Sequence, residues 1–365
     1  MADWDPFAID DSAASAPAPP GTNGVASSKK AGGVSKTELD SIADMVYKHL
    51  KTLRPWSKII DPNADLTWYH PSCSLEDWKH DQVKIEVGQG IAYVIFNRPN
   101  TNNELDAGIY AALADAMVCL HSRKDLRCVV FSGEGKMFSG GTDPKFDGNF
   151  VRHAQPARVE RSLAQLKERA ARAGATPDLG RLLQAKLWYT LALLPQFTIA
   201  LVNGSAIGDA VGALACMDMV ISVKSAYFSL PEVRSGLVQC GLAPYIVAKV
   251  GAGMAKYMLG SGRAFSVEEM RRAGLISEVV ETVQEGHQKI AEICEVLTGC
   301  GPRSVEASKQ LIFGVGGQPI TERVMFFTAA MLAKVTVSDE SKDGMVCVQM
   351  RKPKPWEEKP ITPLH

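Results

Sequence analysis

Apolar and polar positions change period several times along this chain. Val83-Lys-Ile-Glu-Val alternates, a turn follows at Gly88 to Gly90, and Ile91-Ala-Tyr-Val-Ile-Phe resumes; this predicts a β-hairpin. A helix is expected from Leu105 to His121, a strand over Cys128 to Ser132, and a glycine-rich turn from Gly133 to Asp143. Phe197 to Val202 reads as another strand that breaks into small residues at Gly204, Gly208 and Gly212, with an apolar helix-sized stretch and a second strand after it. The recurrence of strand, turn and helix makes this an α/β layer protein. Past residue 240 the spacing becomes helical, at Tyr245 to Tyr257, Ser266 to Ala273, Glu285 to Leu297, Val305 to Phe313 and Thr321 to Val335. Residues 274–280 read as a short strand or extended link.

The ends differ from this middle. Residues 1–36, mostly Ala, Ser, Pro and Gly beyond residue 8, bury too little apolar surface to offset the entropy of ordering and predict a disordered tail. Residues 37–78 form an N-terminal helical appendage, in which Leu39, Ile42, Met45, Val46 and Leu50 share one helix face, Thr37 caps it and Pro55 lies beyond its end. Residues 79–280 are expected to hold the core, 281–357 a helical C-terminal region and 358–365 a tail. The stretch 151–190 scatters Arg152, Arg158, Arg161, Lys167, Arg169 and Arg172 among alanines and leucines. It reads as a solvated helix face or as a basic lid whose cations meet the phosphates of a carrier.

Of the 365 residues 46% are hydrophobic, and 40 basic residues balance 40 acidic ones. That is chain enough for one large domain or two small ones. The zero net charge argues against nucleic acid or an anionic membrane as the main partner and leaves a small molecule as the default. The acidic MADWDPFAID has neither a basic nor an apolar region of a secretory signal, and no apolar run reaches the about 18 residues of a membrane span. The expectation is a soluble intracellular protein, cytoplasmic by default, with an organelle address left open. Eight cysteines lack any CxxC or Cys/His ligand spacing, so neither disulfides nor a metal are expected, and His49, His80 and His121 read as surface residues. No flavin or nicotinamide is implied.

Residues 197–234 carry the candidate chemistry. A small-residue turn at a helix start can present free backbone N–H groups, and Glu232 follows on the next strand-to-loop junction. Donors aimed at a carbonyl oxygen stabilise the charge that gathers there during thioester activation, and losing one costs about 3 kcal/mol. The other reading of these small residues is close packing of a helix on a strand. Leu230, Pro231 and Val233 around Glu232 would raise its pKa toward acid–base work, although a surface glutamate fits the same residues.

Four segments together resemble the crotonase, or enoyl-CoA hydratase/isomerase, superfamily. They are IAYVIFNRPNTNNEL with Asn97, Arg98, Pro99 and Asn103; Met137-Phe-Ser-Gly-Gly-Thr-Asp143; the 197–234 stretch; and Gly260 to Val280. The ending from Ser338 to Trp356 is also similar. The resemblance, over roughly residues 80–357, implies an α/β fold: a crotonase-like spiral of ββα repeats with a helical C-terminal trimerisation region, assembled as a homotrimer or homohexamer. It implies an acyl thioester substrate on coenzyme A or on the phosphopantetheine arm of an acyl carrier protein, with no tightly bound cofactor. Carried onto this chain, the oxyanion donors are the N–H groups of Thr142 and Asp209, the acid–base residue is Glu232, and Ser139, Gly141, Asp143 and Gly208 line the thioester carrier, Asp143 by shaping the turn or touching the nucleotide end.

Two departures follow. Where the family's hydratases read Gly-Gly-Gly-Cys-Glu, this chain reads Gly208-Asp-Ala-Val-Gly212, so glycine stands at the first catalytic glutamate. Asp209 adds a carboxylate beside a developing oxyanion; it acts as a second acid, or its side chain faces outward and satisfies backbone at the helix start. Val211 to Asp218 and Leu230-Pro-Glu-Val-Arg234 resemble methylglutaconyl-type hydratases and polyketide β-branching dehydratases. The expected activity is hydration or dehydration of a branched or carboxylated enoyl thioester. An isomerase using Glu232 alone and a non-catalytic thioester-binding module are the alternatives. Arg98 and Arg234 would receive a carboxylate or pyrophosphate, or form structural ion pairs.

Overall fold

The computed structural model describes residues 71–146 and 179–365, together with Glu168 and Ala171. The expected tail, the helix after Thr37, most of the appendage and residues 151–178 of the basic segment, apart from Glu168 and Ala171, lie outside the described residues.

β1 (Val83–Val87) and β2 (Ile91–Phe96) form the expected antiparallel hairpin, with Val83 opposite Phe96 and Gly90 at φ +73° in the turn. α1 (Ala107–Ser122) follows, its N-terminus capped by Asp106, whose carboxylate accepts the Ile109 N–H. Next come β3 (Cys128–Gly133), β4 (Met137–Ser139), α2 (Leu179–Ala192), β5 (Phe197–Val202), β6 (Ser205–Ile207), α3 (Asp209–Cys216), β7 (Met219–Val223) and β8 (Tyr227–Ser229). α4 (Ala243–Ser261), interrupted at Gly251, leads to β9 (Ala264–Ser266), α5 (Val267–Arg272) and β10 (Glu278–Val280). The chain then turns helical through α6 (Val283–Thr298), α7 (Pro302–Val315), α8 (Glu322–Thr336) and α9 (Asp339–Met350).

Two sheets result. The larger runs β1-β2-β3-β5-β7-β10 and is parallel except for β1; the smaller runs β4-β6-β8-β9. Each turn of the chain gives one long strand to the first sheet and a short one to the second, as in β3 then β4, β5 then β6, and β7 then β8. This is the spiral of ββα repeats, with its helical C-terminal region. The central strands β3 and β5 are buried along nearly their whole length, which is why they read as continuous apolar runs rather than alternating ones.

Asn103, fully buried with φ +54°, knits the first repeat together. Its amide donates to the carbonyls of Glu134 and Met137, both 2.9 Å away, and its Oδ1 accepts the Arg98 N–H at 2.8 Å. Arg98 is structural, donating to Glu104 O and pairing with Asp106 at 3.1 Å.

The described edges of the expected segments pack against the core. Trp78 Nε1 donates to Val83 O, Leu75 is buried, and Ser72, Cys73 and His80 all reach Asp115 on α1, so residues 71–80 pack on the core. Beyond residue 280, α6 lies on β5 and β7, with Gly286 against Leu201 and with Ile290 and Cys294 in the core. Residues 358–365 are no free tail: Thr362 bridges to Gln89 and Ile361 is buried. Arg127 donates to the carbonyls of Leu297, Cys300 and Trp356, drawing this end of the chain onto the hairpin side. His80 and His121 are not surface residues. His80 is bonded to Asp115 and His121 is buried, its pKa lowered to about 4 by burial and, secondarily, by Lys124.

Candidate active site

Two glycine turns meet on the small sheet. β4 runs into Gly140-Gly141-Thr142 and β6 into Gly208-Asp209 at the start of α3. Gly141 has φ +85° and Gly208 φ +57°, and a Cβ on Gly141 would lie 2.6 Å from Ile207 O and 3.5 Å from Gly208 Cα. Only glycine lets the two turns touch.

Ser139 holds the first turn from below. It is fully buried; its hydroxyl donates to Asn103 O at 2.7 Å and accepts the Gly141 N–H at 3.1 Å, so it positions the turn. Gly140, Asp143 and Gly208 donate their N–H groups to Asn102, Leu105 and Ser229. Asp143 also accepts the Lys145 N–H, which makes it a turn-shaping residue. The N–H groups of Thr142 and Asp209 have no partner among the described residues. Two free donors on adjoining turns form a cradle for a carbonyl oxygen that gains charge.

Glu232 lies on a 3₁₀ turn (Pro231–Ser235) closed by Gly236 at φ +71°, with its carboxylate against the second glycine turn. A Cβ on Gly208 would come 2.9 Å from Glu232 Oε1, so the absent side chain is what admits the carboxylate. Oε1 accepts Gln239 Nε2 at 3.0 Å; Oε2 is buried with no hydrogen-bond partner. Burial is the main cause that lifts the Glu232 pKa above 4.5, and the charge of Asp209 adds to it. Its own backbone N–H and the Gln239 amide oppose the shift.

Asp209 turns inward rather than capping the helix with its side chain. Oδ2 accepts Tyr110 Oη at 2.6 Å and Thr142 Oγ1 at 2.8 Å, while Oδ1 accepts Gln239 Nε2 at 2.6 Å. Three donors thus spread its charge, and one amide nitrogen links it to Glu232. Tyr110 is itself locked, stacked on Phe146 at 4.8 Å and edge-on to Trp188.

At Gly212 a Cβ would lie 2.5 Å from Leu242, so apolar packing fills the space a glutamate would need. Arg234 is exposed with no ion-pair partner among the described residues. Gln239 and Tyr110 escaped the sequence reading; their only signals are a lone amide after exposed Leu237 and Val238, and a phenol hydroxyl in the first turns of an alanine-rich helix.

Known proteins resemble this chain in sequence and fold. The profile of the family described as enoyl-CoA hydratase/isomerase matches residues 86–172 and 162–359. A mevalonyl-coenzyme A hydratase of Beauveria bassiana is 29% identical over 63% of this chain and 77% of its own length. An (E)-benzylidenesuccinyl-CoA hydratase of Thauera aromatica is 29% identical over 67% of this chain and 87% of its own. An enoyl-CoA hydratase structure from Shewanella pealeana superposes with a TM-score of 0.63 at 20% identity, covering 76% of this chain and 97% of that one, which shows the fold. Among the described residues no helix is long and apolar enough to cross a membrane. The chain therefore belongs to the enoyl-CoA hydratase/isomerase family, as an acyl-thioester enzyme of the lyase/isomerase type.

Proposed function

We propose that the enzyme adds water to, or removes it from, a branched or carboxylated enoyl thioester, with Glu232 moving the proton. The observation that carries this reading is the buried, unpartnered Oε2 of a Glu232 whose carboxylate packs against Gly208, on one of two touching turns that carry free N–H donors. The thioester oxygen would accept from Thr142 and Asp209 as the enolate forms. In the hydration direction water gives its hydroxyl to the β-carbon and its proton to Glu232, which passes that proton to the α-carbon; dehydration reverses each step. Gln239 fixes Oε1 and leaves Oε2 as the working oxygen, while Asp209, held by three donors, keeps Glu232 basic.

The substrate class rests on the motif likeness and on two relatives named for mevalonyl and benzylidenesuccinyl thioesters. Arg234, two residues beyond Glu232, is the cation we assign to a substrate carboxylate. The carrier is coenzyme A or a carrier protein's phosphopantetheine arm. Exposed Leu332, Val337 and Val348 on and beside α8 and α9 suit assembly into trimers or hexamers. A second reading, double-bond isomerisation by Glu232 alone, is favoured by Leu242 occupying the place of a second glutamate.

The test is mass-spectrometric turnover of straight, branched and carboxylated enoyl and 3-hydroxyacyl thioesters by wild type, Glu232→Gln and Arg234→Met. Gain or loss of one water that vanishes in the first variant, with a KM rise confined to carboxylated substrates in the second, is the expected result. A double-bond shift at constant mass would replace the lyase reading with the isomerase one.

A further inference from the structure

Away from the thioester site, three side chains with metal-ligating atoms converge beside the N-terminal end of the described core. Cys73, His80 and Asp115 place Sγ, a ring nitrogen and a carboxylate oxygen all within 4.8 Å of one another. Asp115 comes from the middle of α1 and is fully buried; Cys73 and His80 come from the segment ahead of β1 and are half-buried. Asp115 Oδ2 is the focus: His80 Nε2 lies 2.8 Å away and Cys73 Sγ 3.8 Å.

We propose that these residues bind a zinc-class divalent cation, which would staple the segment preceding β1 to α1. Tetrahedral bonds of about 2.0–2.3 Å set ligand atoms roughly 3.3–3.8 Å apart. The sulfur-to-oxygen separation already fits that edge, the nitrogen-to-oxygen one opens by about half an ångström, and the sulfur and nitrogen, within 4.8 Å of each other, close on the ion. The donor set of thiolate, imidazole and carboxylate is one that zinc prefers over calcium or magnesium, which take oxygen. The backbone N–H and hydroxyl of Ser72 also donate to Oδ2, and bonds of this kind hold a ligating carboxylate in one orientation. Cys119 is outside the set, its Sγ turned to Cys73 O at 3.3 Å, so a water would complete the four. The spacing conceals the site in sequence, because Asp115 stands 35 residues from His80.

The inference is independent of the thioester chemistry, and so is its test. The full chain, made without a histidine tag, is equilibrated with zinc, gel-filtered and assayed for metal by mass spectrometry, and separately titrated with cobalt(II). Wild type is expected to keep stoichiometric zinc, to show a sulfur-to-cobalt charge-transfer band, and to lose thermal stability on chelation. Cys73→Ser and His80→Ala should each bind at least about tenfold more weakly and be insensitive to chelator, and Cys73→Ser should lack the band. Background zinc in wild type, or zinc and the cobalt band retained in Cys73→Ser, would overturn the site and leave a hydrogen-bonded staple.

Discussion

Leu242 occupies the space beside Gly212: a Cβ added to that glycine would lie 2.5 Å from the leucine's Cβ and Cδ1. The loss of the first family glutamate is thus matched by packing from α4's N-terminal cap. Gly212→Glu is therefore expected to fail as a restoration. Forcing atoms into this contact costs about 1–3 kcal/mol before the buried carboxylate is counted. Urea denaturation should show the loss, and a variant as stable as wild type and more active would refute the packing argument.

Glu232 ties catalysis to instability. Its pKa is raised in the folded state, so the protonated form favours folding; that contribution is complete below the ordinary carboxylate range and is lost as pH climbs through the raised value. Glu232→Gln should cut turnover by about 10²–10⁴-fold. It should also melt higher than wild type at neutral pH, with the difference shrinking on acidification. Equal melting temperatures across the range would contradict a desolvated carboxylate.

Gln239 donates to both Glu232 and Asp209, and its bond to Glu232 opposes the upward pKa shift. In Gln239→Leu the ionised form loses that support. The acid limb of kcat/KM, set by the fraction of Glu232 that is ionised, should move to higher pH. A fall in kcat with the limb unmoved would reduce Gln239 to packing.

His121, near the end of α1, is buried, and its pKa of about 4 keeps it neutral where an unfolded chain takes up a proton. Its contribution is intact above pH 6.5, the ordinary histidine value, and is lost as pH falls toward 4, by up to about 3 kcal/mol. Chemical denaturation across that interval should show His121→Leu losing less stability than wild type; identical slopes would place the acid sensitivity elsewhere.

Local patterns disclosed much of this molecule. The Gly88–Gly90 hairpin, the helices after residue 240 and the glycine turns at 141 and 208 each have a short-range cause, in periodicity or in φ. What stayed hidden depends on distant residues meeting. Gln239 and Tyr110 reach Asp209 from separate elements, 30 and 99 residues away. The inward turn of Asp209 needed three donors that no window of sequence contains. His80 looked solvated because its neighbours are charged, while its partner lies on α1. The return of Ile361 and Thr362 to the hairpin likewise rests on distant partners, Thr298 and Gln89.

The contact between Gly141 and Gly208 also determines what can vary. The two donor N–H groups ride on backbone at the ends of neighbouring parallel strands, β4 and β6, so their separation follows the spacing of the sheet itself. On the proposed function, side-chain exchange around the cleft would retune the acid, the water and the acyl end without moving the seat of the thioester oxygen. The fold would then behave as a fixed anvil under interchangeable tools, and any side chain placed between those two glycines would split it.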